Sequence, residues 1–390
     1  MNWKVFFILF LSIFSAMLGQ GIVVPLLPVY AHDLGATGFQ IGLIFGLFSV
    51  SRTAFLPYFG RLSDLKGRKP IITVGLLAYF LASVGFMFST SVTALIMVRF
   101  FQGIAAAMIL PVAQAYAGEI SPPNKEGFIM GLMQVALYGG LGFGPVSGGI
   151  LNDVFGIRSA FLGMGLTCLM GFFLSLLFLP SPEHEYVVTR GSASGAFGAI
   201  LRNRHFFGLG LFRFVHTACL GTIFAFLPVI ANKEFALSST QVGVVIMLSV
   251  LISAVIMTPM GILADVISRR ALLVVGGAIT TYSMYYVAYV QQPWQFYVAT
   301  VLIGIGGGIA LPALMAMSVV IGRKEGSMGS IMSLLTISHS LGMIVGPVGI
   351  GVIIDMLNMK VSFIGLAVLM GLTTLVTWPL TSGFSAFEKS

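Results

Sequence analysis

Three arginines and two histidines stand inside long apolar runs of this chain: Arg52, Arg99, Arg213, His216 and His339. A guanidinium keeps its charge in any environment and presents a fork of donors, so buried arginines can hold an anion or a charged partner. An imidazole titrates near neutral pH and can carry a proton. The acids lie elsewhere. Asp33, Asp64, Glu119, Glu126, Asp153, Glu183, Glu185, Glu234, Asp265, Glu325, Asp355 and Glu388 all fall at the ends of apolar runs or between them. An interior lined by these arginines and histidines is electropositive. It disfavours a permanently cationic ligand, because no buried acid offsets the ligand's desolvation. His216 and His339 fall near the middle of their runs, where each reads equally as a proton carrier or as a neutral, hydrogen-bonded packing residue. Asp33 and Glu119 are the further proton candidates, and Glu119 also reads as a partner of Arg68. Enzyme chemistry finds no purchase: the sequence shows no metal-ligand cluster, nucleophile–base pair or phosphate-cradling loop. Gly304-Ile-Gly-Gly-Gly308 lies in an apolar run, so it is not a nucleotide loop and ATP drive is excluded.

The elements that must position these groups are membrane spans. Apolar residues make up 57% of the 390 residues and charged residues only 8%, against roughly 25% charged in a soluble domain. About twenty apolar residues cross a bilayer as helix. Twelve such runs lie near 5–30, 41–60, 70–90, 92–117, 127–151, 158–180, 206–230, 241–263, 271–290, 294–321, 327–354 and 361–380. The first opens like a signal peptide but continues to Tyr30 without a small-residue cleavage site, and so reads as a retained span. The polar stretch 181–205 reads as a flexible connector between an amino-terminal bundle, 1–180, and a carboxy-terminal one, 206–390. With both termini cytoplasmic, fourteen Lys and Arg gather on the inner side and only Arg158, Lys233 and Lys360 on the outer, which satisfies the positive-inside rule. The net charge of +8 therefore describes orientation in lipid and implies no nucleic-acid partner. Cys168 and Cys219 sit inside apolar runs, which argues against a disulfide framework or a zinc site.

The chain is also written twice. Gly60-Arg-Leu-Ser-Asp64-Leu-Lys-Gly67-Arg68-Lys69 recurs as Gly261-Ile-Leu-Ala-Asp265-Val-Ile-Ser-Arg269-Arg270. Gly103 maps onto Gly304, Pro111 onto Pro312, Gly144-Pro145 onto Gly346-Pro347 and Asp153 onto Asp355. Two similar halves in an almost uncharged background are the plan of a secondary transporter. Arg99 maps onto Thr300, so the repeat does not require it. An arginine about 10 Å inside its span is a functional hypothesis by default, and Gln102, one turn on, is placed to hold it.

These motifs resemble those of the major facilitator superfamily, and in particular its twelve-span drug:proton antiporter branch. The 60–69 turn matches the signature between spans 2 and 3. Arg99-Phe-Phe-Gln102-Gly103 matches the branch's arginine motif in span 4, and Gly140-Leu-Gly-Phe-Gly144-Pro145-Val-Ser-Gly148-Gly149 the antiporter signature in span 5. Leu18-Gly19 with Pro25-Leu-Leu-Pro28 matches a fourth motif in span 1. The resemblance covers the whole chain. It implies an all-α membrane fold of two six-helix bundles, with Asp64 docking at the start of span 11 near Gly326–Ser327. Gly60 would allow close helix approach and Gly67 a tight turn, with Arg68 and Lys69 at the inner leaflet. The latch group is completed by Asp265, Arg269 and Glu119. Spans 1, 4, 7 and 10 of the family line a central cavity, which makes Gln20, Arg99 and His216 lining candidates, with Arg52, Gln102, Tyr138, Arg213 and His339 beside them. Gly304, Gly308 and Pro312 read as a soft gate or as a close helix contact. Gly140, Gly144, Pro145, Gly148, Gly149, Gly346 and Pro347 read as packing or kink positions, as do Pro25 and Pro28.

The function expected is a secondary active exporter of small amphipathic molecules, driven by the proton gradient and needing no cofactor. It would act as a monomer in the cell membrane, the bacterial inner membrane being the expected one. A carrier of organic anions such as carboxylates, siderophores or phosphorylated metabolites fits the electropositive interior as the alternative. A membrane enzyme or a lipid scramblase is the third reading.

Overall fold

A computed structural model describes residues 3–122, 126–180, 203–324 and 328–382. Every regular element among them is a helix: α1 (Trp3–Val23), α2 (Leu26–Asp33), α3 (Gly38–Lys66), α4 (Arg68–Phe88), α5 (Val92–Glu119), α6 (Glu126–Phe155) and α7 (Ile157–Phe178) in the first half of the chain. The second half adds α8 (Arg204–Lys233), α9 (Ser239–Val266), α10 (Arg269–Val287), α11 (Gln295–Lys324), α12 (Met328–Met356) and α13 (Met359–Leu380). With α1 and α2 counted as one span interrupted at Val24–Pro25, these are the twelve expected spans. Eleven are long and apolar enough to cross a bilayer. The exception is α10, whose 19 residues include Arg269, Arg270 and the run Thr280-Thr-Tyr-Ser283. Most of the expected connector, 181–202, lies outside the described residues.

Local chemistry sets the helix ends. Thr37 and Gln40 form a capping box at the start of α3, while Ser91, Ser268 and Asn358 cap α5, α10 and α13. Gly67 takes φ +89° and Gly156 φ +82°, a region closed to most side chains. Each therefore turns the chain between two helices with a single residue. Of the expected proline kinks, Pro25 stands at an interruption, whereas α6, α11 and α12 run continuously through Pro145, Pro312 and Pro347. Pro28 is buried inside α2.

The chain forms two compact units. One contains α1–α7 together with Phe224–Met247, the end of α8 and the start of α9; the other contains α8 up to Ile223 and the chain from Leu248 onward. In the first, glycines set the helix contacts. A Cβ on Gly140, Gly144 or Gly148 would come within 2.3–2.7 Å of α1, mostly of its backbone, so this face of α6 is fitted to α1. At Gly103 a Cβ would fall 2.0 Å from Ser51 Oγ and 2.3 Å from the Phe48 carbonyl oxygen, which fixes the crossing of α3 and α5. In the second unit Gly342 and Gly346 meet the backbone of α8 in the same way, and Pro347 packs on Gly221. Gly304 and Gly308 are pressed against Ser249, Ile252 and Ile256 of α9, so the close-contact reading of that stretch holds.

Candidate functional site

The crossing at Gly103 determines where Arg99 lies. One turn before it on α5, Arg99 is only 2% exposed, with its guanidinium carbon 5.2 Å from the centre of the Phe45 ring and 5.0 Å from that of Phe48. One Arg99 nitrogen donates to Gln102 Oε1 at 2.8 Å. Arg99 Nε and Gln102 Nε2 are buried and find no acceptor among the described residues. Tyr79, fully buried on α4, donates to Gln20 Oε1 of α1 at 3.2 Å and lies within electrostatic reach of both Arg99 and Arg52. Arg52 is partly buried on α3. The structure thus places Gln20 with Tyr79 and Arg99 with Gln102 inside the first unit, with Arg52 on the neighbouring α3. Tyr79 escaped the sequence reading because a lone tyrosine in an apolar run carries no signal.

Magnitudes show how unusual this cluster is. Removing a guanidinium from water costs several kcal/mol even after relaxation. Each aromatic contact returns about 0.5–2 kcal/mol, and the bond to Gln102 about 1.5–3 kcal/mol. Among the described residues no carboxylate pairs with Arg52 or Arg99. Of the acids of this unit with described side chains, Glu119 and Asp64 are engaged with Arg68, Asp33 with Lys233 and Asp153 with backbone amides, and Glu234 is exposed just beyond the end of α8.

His216 and His339 lie in the second unit and face different partners. His339 Nδ1 is 3.2 Å from Thr217 Oγ1. His216 is fully buried, stacked on Phe212 with ring centroids 6.0 Å apart and an interplanar angle of 12°. Both of its ring nitrogens lack a hydrogen-bond partner among the described residues. A Cβ placed on Gly307 would lie 3.4 Å from His216 Nε2, so the imidazole edge reaches the backbone of α11. Arg213, one turn earlier and partly buried, accepts at its carbonyl from Thr217 at 2.8 Å. Tyr138 is partly buried on α6, two residues before the glycine face.

At the turn between α3 and α4, Arg68 binds Glu119 Oε1 through Nε at 2.9 Å and through a terminal nitrogen at 2.8 Å. It also pairs with Asp64 and Ser63. Arg68 is 9% exposed and ties the turn to the end of α5, in the pairing with Glu119 that the sequence suggested. Lys69 is partly buried. Gly60 is corrected, since a Cβ there would meet nothing within 4 Å. Gly326–Ser327, the expected docking point of Asp64, and the Asp265 side chain lie outside the described residues. Arg269 donates to the Ala264 carbonyl at 3.0 Å.

At the opposite end of the first unit is a group that sequence reasoning missed. The Asp153 carboxylate accepts from the Ser239 and Thr240 amides at 2.9 and 2.8 Å, and Asn152 donates to Ser239 Oγ at 2.7 Å. Gly149 and Gly243 make the approach possible, because a Cβ on either would lie 2.3–2.4 Å from a carbonyl oxygen across the contact. Asp33 pairs with Lys233 beside it at 2.5 Å. The available signal was the Ser238-Ser-Thr240 start of α9, a helix cap whose distant partner no local pattern identifies.

The profile of the Major Facilitator Superfamily matches residues 9–232 and 209–385. An uncharacterised MFS-type transporter of Methanocaldococcus jannaschii is 29% identical over 359 residues, covering 90% of this chain and 92% of that protein. The quinolone resistance protein NorA of Staphylococcus aureus is 32% identical over 180 residues, 46% of each chain. Among solved structures, the nucleoside transporter NupG superposes with a TM-score of 0.78 at 12% identity, covering 98% of this chain and 99% of that one. The human organic anion transporter MFSD10 superposes with a TM-score of 0.67 at 19% identity, covering 96% and 99%. At those identities the two structures speak for the fold alone. Eleven described helices long and apolar enough to span a bilayer, a doubled sequence and the profile match across both halves have one reading: the chain is a multi-pass membrane transporter and belongs to the Major Facilitator Superfamily.

Proposed function

We propose that the protein is a proton-coupled exporter of small amphipathic molecules that works by alternating access. It would be a monomer with both termini in the cytoplasm, in a bacterial inner membrane. The observation that carries proton coupling is His216: a fully buried imidazole with two unpartnered nitrogens on a spanning helix. Neutral imidazole leaves one donor and one acceptor without a partner. An imidazole can take up and release a proton, which is what a coupling site needs. The export direction is supported by the likeness of 180 residues to a drug-resistance protein and by the α6 glycine face fitted to α1. The gradient supplies the energy, and no cofactor enters the scheme.

A second reading, a carrier of organic anions, is favoured by Arg52 and Arg99, which no described carboxylate neutralises. One experiment separates the two. Inside-out proteoliposomes with an imposed pH gradient are given a lipophilic cation such as ethidium, or an amphipathic organic anion. Gradient-driven accumulation of the cation supports drug antiport. Accumulation of the anion alone supports the second reading, and accumulation of neither overturns both.

A further inference from the structure

We infer that Arg52, Arg99 and Gln102 form an anion-binding site inside the first unit, which takes one compact, singly charged anion. The inference goes beyond the transport reading, since the site would hold its anion whether the exported molecule is a cation or not.

The argument starts from the imbalance of donors. Arginine does not deprotonate to relieve burial, so two positive charges stay within this helix cluster. Gln102 has already committed its carbonyl oxygen to Arg99. Flipping the amide would set its NH2 against a guanidinium nitrogen, so the orientation is fixed by chemistry. Gln102 Nε2 and Arg99 Nε are then two buried donors within one turn of α5, neither with an acceptor among the described residues. Tyr79 spends its proton on Gln20 and is no counter-charge. Phe45 and Phe48 take up part of the Arg99 charge through their π-faces, but neither ring accepts a directed N–H bond as a carboxylate would.

Every acid of this unit with a described side chain is either engaged elsewhere or at the end of a helix. No acid with a described side chain in this unit supplies the missing negative charge, and a bound anion would supply it. Arg52, only partly buried, is the more accessible of the two arginines, whereas Arg99 and Gln102 are buried. The required chemistry is a single compact negative charge accepting several N–H bonds. A halide supplies it, and so does the carboxylate end of a larger molecule.

The test uses the purified full-length protein in detergent and reads thermal unfolding without transport. Bromide or benzoate is titrated into a sodium sulfate background at constant ionic strength, sulfate being doubly charged and no carboxylate. A saturable rise of a few degrees is expected, because a ligand bound only to the folded state stabilises it. In Arg52→Gln the midpoint concentration should rise roughly tenfold or more, the loss expected for a charge-assisted hydrogen bond. Arg99→Gln should abolish the effect. If Arg99→Gln does not fold, Arg52→Gln, at the more accessible arginine, carries the comparison alone. Arg158→Gln, an exposed arginine outside the cluster, should behave as the unaltered protein. Saturation by bromide identifies a free inorganic anion, and saturation by benzoate alone a carboxylate ligand. A shift that is absent, or that is linear and equal in the unaltered protein and both cluster variants, overturns the site. That outcome leaves the exporter reading untouched, since nothing is transported.

Discussion

Asp153, at the end of α6, caps α9 from a distance of 86 residues, its two carboxylate oxygens accepting from the backbone amides of Ser239 and Thr240. A helix N-terminus carries partial positive charge, and an anion on its free amides is stabilised by both effects. The neighbouring Asp33–Lys233 pair holds the end of α2 to the end of α8. Between them these contacts place Phe224–Met247 in the first compact unit, although by sequence repeat it belongs to the second half. A carboxylate in this position makes a clasp whose strength depends on its charge.

Asp153→Asn keeps the shape, removes the charge and leaves one acceptor oxygen in place of two. The loss should be about 1 kcal/mol, the usual worth of an N-cap, or roughly a fivefold shift in the open-to-closed ratio of this contact. Spin labels at the exposed positions 154 and 234 would report it as a growing population of longer distances. An unchanged distance distribution would mean that the contact plays no part in opening.

Acid should act on the unaltered protein in the same direction. Protonation leaves Asp153 one good acceptor oxygen in place of two and removes its charge, so the clasp is strongest with the carboxylate ionised and weakens as pH falls through its titration. The same label pair, followed from pH 7 down to about pH 3, should lengthen in the unaltered protein. In Asp153→Asn it should move much less.

Glu119→Gln should destabilise the protein by about 1–2 kcal/mol, since it converts a two-pronged charged contact with Arg68 into a neutral one. Glu119 is partly exposed, so solvent screening holds the value below that of a fully buried pair. Thermal unfolding in detergent is the measurement. Asp64→Asn should cost less in the same assay, because Arg68 keeps both of its bonds to Glu119.

Two glycine substitutions should part ways. Gly103→Ala drives a methyl into Ser51 and the Phe48 carbonyl and should lower stability by several kcal/mol or abolish folded expression. Gly60→Ala meets nothing and should be neutral or stabilising by about 0.5–1 kcal/mol through better helix propensity. Yield of folded protein on size-exclusion chromatography separates them, and equal behaviour would contradict the α3–α5 crossing.

His216→Gln should flatten or shift the pH dependence of transport if the imbalance at His216 serves coupling. His216→Phe, which preserves the stack on Phe212, should fold normally and lose gradient-driven accumulation. Full transport by the phenylalanine variant would return His216 to packing.

Composition and the run lengths by themselves determined the number of spans and the placing of acids at span ends, because each depends on residue type along the chain, and the resemblance of four motifs gave the family. The pairing of Arg68 with Glu119 was also legible, since both stand at predicted span ends on one side. What only the tertiary structure decided is which faces meet. These helices are apolar nearly all round, so their periodicity does not say which side turns inward. The glycine at 60 and the glycine at 103 therefore look alike in sequence, though one faces open space and the other receives a backbone carbonyl. Arg99 was suspect from its position alone, but its two unsatisfied donors and the company of Tyr79 depend on the crossing of α3 and α5. The Asp153 clasp joins residues 86 and 87 positions apart, and no local propensity specifies such a contact; it exists because Gly149 and Gly243 let two helices come close enough for a carboxylate to reach a helix end.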